Sequence, residues 1–107
     1  SMHRIKSDEV FHFYLGDPVL MLRLYPDGTG ETLTLGSDVE AGMLPQVVVP
    51  AGVWQGAKLV AGGDFALMGA TVAPGFDFND FETGGRIELV ADYPAFSDIL
   101  LELTHPK

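Results

Sequence analysis

Glycine and proline break this chain at short, even intervals, and that spacing restricts it mainly to short strands. Thirteen Gly and seven Pro are spread along 107 residues, roughly one break every eight to twelve residues. The segments between them are rich in Val, Leu and Phe, residues that fit a pleated, half-buried surface. Val10–Leu15, Val19–Tyr25, Glu31–Leu35, Val47–Val49, Val53–Val60 and Phe65–Ala73 read as strands, and Arg86–Val90 as a further short one. Strict alternation in Glu31–Leu35 marks a strand with one buried face. The turn at Pro26-Asp27-Gly28 has a mechanism: proline presets φ and glycine tolerates positive φ. Residues 36–45 read as an acidic loop and residues 74–85 as a long irregular one. Helical spacing is found only near the end, where Phe96, Ile99, Leu100 and Leu103 share a face between Pro94 and Pro106. The expectation is an all-β sandwich or barrel with a short C-terminal helix, packed on its outside or at a subunit contact.

A chain of this length is one domain's worth, for which a single self-sufficient core is feasible. Its 47% hydrophobic and 20% charged residues exclude intrinsic disorder. Fifteen acids against six bases give a net charge of −9. That excess argues against a nucleic-acid partner, which would need clustered Lys and Arg, and against an anionic membrane surface. With no cysteine, disulfides, thiolate zinc sites, iron–sulfur clusters and cysteine nucleophiles are excluded. Ser1-Met2 reads as a cleavage remnant followed by the native start, with no secretory apolar stretch after it. Apolar runs such as Val19–Leu22 fall far short of the ~20 residues needed to span a bilayer. A cytoplasmic location is the default expectation. The serines lie outside any G-x-S-x-G elbow, and neither a P-loop nor H-E-x-x-H is present.

Two spaced patterns and three longer phrases carry a resemblance. His3-Arg4-Ile5, then Glu9, then Gly16 is similar to the first cupin motif, H-x-H-(three or four residues)-E-(six residues)-G. Pro50-Ala51-Gly52-Val53-Trp54-Gln55 is similar to the second, which contains P-x-G-x-x-H. Ser7–Phe13, Val47–Ala57 and Val72–Glu82 resemble SDEVxHF, VVVPAGVWQGA and VAPGFDFxDFE, phrases of one branch of small cupins. The resemblance covers nearly the whole chain as a single cupin domain, residues 1–107. It implies a double-stranded β-helix, or jelly-roll, barrel that encloses a ligand cavity and forms a homodimer. Members of the branch normally carry further strands ahead of the first histidine, whereas this chain begins two residues before His3. A barrel edge left open there is an aggregation liability, so a partner subunit is expected to cover it.

In the resemblance, the cupin metal ligands map onto His3, Ile5, Glu9 and Gln55. Ile5 cannot coordinate and Gln55 offers only a neutral amide, so His3, Glu9 and Gln55 form an incomplete set for a divalent metal. The expectation is a metal-free site. The plainer alternative for His3 is a Glu9 pairing or a frayed terminus. If Glu9 points inward, strand parity brings Phe11 and Phe13 in with it and turns His12 out to a surface or subunit contact. With Gln55 inward, Val53 and Ala57 are inward too, while Trp54 points out and packs under the C-terminal helix or at a dimer interface. Arg23 shares parity with Val19 and Met21. Inward, it needs Glu9 or a ligand anion as partner; outward, it is an ordinary surface residue, and the sequence leaves both open. In the run Phe76–Glu82 the Phe side chains read as a plug at the barrel mouth, with solvated acids. The alternative is a calcium-type oxygen cluster, but the spacing departs from that of an EF-hand loop.

The functional expectation is a cupin that binds a small sugar-like or anionic molecule through Glu9, Phe11, Phe13, Arg23 and Gln55. One alternative is an enzyme, metal-dependent or resembling the sugar epimerases and isomerases, with Glu9 as general acid or base. Another is a non-catalytic structural relative, truncated at its N-terminus.

Overall fold

The computed structural model describes the chain except Pro74, Phe76 and Lys107. Among the described residues, eight antiparallel strands form two sheets. They are β1 (His3–Arg4), β2 (Asp8–Gly16), β3 (Val19–Leu24), β4 (Gly30–Leu35), β5 (Gln46–Val49), β6 (Trp54–Leu59), β7 (Ala66–Ala73) and β8 (Glu82–Thr83). The larger sheet runs β4-β3-β6-β1-β8 and the smaller β5-β2-β7. These crossovers make a jelly-roll barrel. Two helices follow, α1 (Arg86–Asp92) and α2 (Ser97–Leu103).

Alternation along β3 and β6 feeds two cores. Val19 and Met21 point between the sheets and meet Phe13, Leu35, Val47, Val49 and Val53. Leu22, Leu24 and Trp54 point the other way and meet Leu89, Tyr93, Leu100 and Leu103 of the helical segment. The outward Trp54 thus lies beneath the C-terminal helices, as its parity implied. Met2 joins the same outer core with no exposed surface, and its carbonyl accepts a bond from Gly84 N–H at 2.9 Å. The N-terminal segment is therefore anchored, and the frayed reading of His3 does not hold.

Arg86–Val90 is helical rather than a strand. Its alternation put Ile87 and Leu89 on one face. The helix instead buries Leu89 against the outer sheet face with Tyr93 one turn on, and leaves Ile87 73% exposed. Burying the apolar outer face of the larger sheet outweighs the weak local strand preference. The short strands β1 and β8 and a 3-10 turn at Val39–Ala41, capped by Asp38, are further elements that the Gly/Pro spacing did not reveal. A Cβ at Gly84 would lie 2.6 Å from Leu89 Cδ1 and 3.0 Å from the Trp54 ring, so a larger residue here would make those side chains shift.

One seam between the sheets is tied. Leu35 bridges Leu44, Gly36 N–H donates to Leu44 O at 3.0 Å and Leu44 N–H to Thr34 O at 2.8 Å. At the other seam, among the described residues, no backbone hydrogen bond joins β7 to β8.

Candidate functional site

The pairing register builds a polar row across the inner face of the larger sheet. Thr83 pairs with His3, His3 with Gln55, Gln55 with Arg23, and Arg23 with Glu31. In antiparallel pairs, opposite residues carry their side chains to the same face. Glu9 reaches the row from β2 of the facing sheet: Gln55 Nε2 donates to Glu9 Oε1 at 3.1 Å. The same amide contacts His3 Nε2, which lies 4.0 Å from Glu9 Oε1. An amide NH₂ carries two donors, and here it bridges an imidazole nitrogen and a carboxylate. Phe81 stacks on His3 with ring centroids 5.0 Å apart.

This environment disfavours charge at both titratable groups. Burial raises the Glu9 pKa, with the Gln55 hydrogen bond opposing it. His3 is lowered, first by burial and then by the positive N-terminus. Both causes follow from the cost of holding an ion in a poorly hydrated place.

Arg23 faces inward. Its carboxylate partner is Glu31, which it contacts through Nη2, rather than Glu9. Its Nη1 donates to Val48 O at 2.7 Å, so one guanidinium ties the larger sheet to the free edge of β5. Tyr25 Oη donates to Glu31 at 2.9 Å. The hydrogen bonds from Tyr25 and from Arg23 Nη2 hold the Glu31 carboxyl below its usual range. Arg23 Nε is buried and, among the described residues, has no hydrogen-bond partner.

His3, Glu9, Arg23 and Gln55 are thus brought together. Phe11 and Phe13 share the inner face but pack in the apolar half of the barrel, Phe13 buried and Phe11 half-buried. They form a hydrocarbon wall beyond the polar row. His12 lies on the outer face and contacts Thr71 Oγ1 at 2.8 Å. Phe76 and the Phe78 side chain lie outside the described residues; of the expected plug, only Phe81 can be placed, over His3. Glu31 and Tyr25 are site residues that the motifs did not name. Glu31 was within reach of sequence, because the hairpin closed by Pro26-Asp27-Gly28 sets position 23 opposite 31.

The interior hydrocarbon leaves a recess of about 460 Å³ at the far end of the inner face, bordered by Val19, Ala57, Leu59, Phe65, Ala66 and Met68. A second cavity of about 290 Å³ lies outside the barrel near Arg4, Trp54, Glu82, Glu88 and Asp92. Arg4 covers the indole there at 4.3 Å and pairs with Glu82. Among the described residues, no three His, Asp or Glu side chains are grouped to hold a metal ion. Within the expected set of His3, Glu9 and Gln55, the Gln55 NH₂ is turned toward the other two.

A two-sheet antiparallel barrel with a His/Glu/Gln cluster inside defines a jelly-roll of the cupin class. Residues 1–84 match the family model described as Cupin superfamily (DUF985), and the chain belongs to that family. It is similar to the crystal structure of protein SO0799 from Shewanella oneidensis, with TM-score 0.90 and 36% identity over 99% of this chain and 66% of that one. It is also similar to a hypothetical protein from Leishmania major, with TM-score 0.87 and 28% identity over 97% of this chain and 68% of that one. A 60-residue stretch, 53% of the chain, is 38% identical to the uncharacterized protein YML079W of Saccharomyces cerevisiae, covering 30% of that protein. The chain thus spans about two thirds of the solved neighbours and under a third of the yeast protein.

Proposed function

We propose that this chain is a metal-free, homodimeric cupin that binds a small, hydroxyl-bearing, sugar-like molecule against the polar row of its barrel. The observation that carries this reading is the register of His3, Gln55, Arg23 and Glu31, faced by Glu9. Arg23 is already paired with Glu31, and burial works against charge on His3 and Glu9. The row therefore offers several donors and acceptors with its cation already paired, which suits a polyol better than an anion. The unpartnered Arg23 Nε is a donor such a ligand would satisfy. The bridging Gln55 amide disfavours a metal, because its protons face the two groups a cation would need.

Screening sugars, nucleotide-sugars and small organic acids by thermal shift tests the reading. A sugar-type ligand should raise the melting temperature of the parent, and Gln55→Leu should reduce its affinity at least ~10-fold, the scale of one lost polar contact. Binding by organic acids alone, or binding untouched in Gln55→Leu, would overturn it. The enzymatic alternative gives Glu9 the role of general acid or base, supported by its raised proton affinity. In that case Glu9→Gln would still bind the ligand but fail to turn it over.

A further inference from the structure

We infer that the uncapped edge of β7 pairs with the same edge of a second copy, joining two three-stranded sheets into one six-stranded sheet. Every other long edge in the fold carries a protective device. The free edge of β5 is four residues long and is met by Arg23 at Val48 O. β4 is bonded by Leu44 at Thr34 O and carries Glu31. β8 has two residues. β7 differs on each count: it is eight residues long, with sequence ALMGATVA, no charge and no proline. It pairs with β2 on one side, and among the described residues no element pairs with its other side. The register irregularity of this sheet falls in β2, between Phe13 and Leu15, so no bulge turns the β7 edge away. Exposed strands of this kind are usually blunted by charge, proline, a bulge or brevity.

The occupant is a second copy because of charge and symmetry. A chain of net charge −9 repels its like over most of its surface, and β7 offers a strip without charge where a second copy can approach. A basic partner would be drawn instead to the acidic surfaces. Two β7 edges related by a two-fold axis satisfy both rows of backbone groups at once, and the assembly closes because the same patch serves both subunits. Small residues at 66, 69, 70 and 73 let the backbones approach.

This inference rests on the homodimer reading above, and two measurements separate their failures. Light scattering after size exclusion should give twice the 11.5 kDa chain mass; a monomer at all concentrations would overturn both. Hydrogen exchange of peptide 66–73 should slow as concentration rises through the dimer transition. A dimer without that protection keeps the homodimer and overturns the β7 edge. The variant Leu67→Lys/Thr71→Lys changes two side chains that are exposed in the single chain. It should raise the dimer dissociation constant at least ~10-fold, since like charges would meet across the axis. An unchanged constant also overturns the edge.

Discussion

At the scale of single residues, Gln55 decides what the barrel interior can be. A histidine there would complete a donor set with His3 and Glu9. The amide instead donates to both of them and keeps two titratable groups in a place that disfavours their charge. For Glu9 the folded chain holds the proton more tightly than the unfolded chain does. Its contribution to stability is therefore full below the ordinary value of 4.5 and is lost as pH rises through the raised folded value. His3 has the opposite sign: its folded value lies below 6.5, so its contribution is present above that pH and lost as pH falls. Glu9→Gln stays neutral and can still accept from Gln55. It is expected to melt a few degrees above the parent near pH 8, with the gap closing near pH 4. Melting curves at both values check this; a gap that is the same at both would show that burying the Glu9 charge carries no cost.

At the scale of elements, the N-terminal pair of residues does more than its length suggests. Met2 fills the space over Gly56 and beside Leu103, and this holds β1 in register with Gln55. Met2→Ala should lower unfolding free energy by about 2–5 kcal/mol, as for other fully buried side chains, measurable by urea denaturation. A loss under 0.5 kcal/mol, the ordinary range for surface changes, would mean that the segment is dispensable. The strands around the site were legible because β3, β4 and β6 combine clear alternation with strong turn residues. Once the resemblance set Glu9 and Gln55 inward, parity placed Phe11 inward with Glu9 and turned Trp54 outward. What was hidden depended on contacts distant in sequence. β1 and β8 are two residues each and exist only by pairing with each other and, for β1, with β6. α1 carries a strand-like pattern that the sheet beneath it overrides. Arg23 could be settled only once the hairpin register set Glu31 opposite it.

At the scale of the whole molecule, acidity governs behaviour. Fifteen acids and six bases make the folded chain repel itself, and compactness intensifies this relative to the unfolded state. Raising salt from about 0.01 M to about 0.1 M shortens the screening length from about 30 Å to about 10 Å. The melting temperature should rise by a few degrees over that range. A fall would show that attractive surface pairs such as Lys58–Glu102 outweigh the repulsion. The same molecule-wide view bears on the polar row. Gln55 and Trp54 are neighbours on β6, one serving the interior and the other the helices. Slipping that strand by a single position would bury the indole among the hydrogen-bonding groups and drive the amide under the greasy cap. Misalignment is therefore penalised on both sides of the sheet together, so the alignment that keeps the fold stable also keeps the amide among its interior partners.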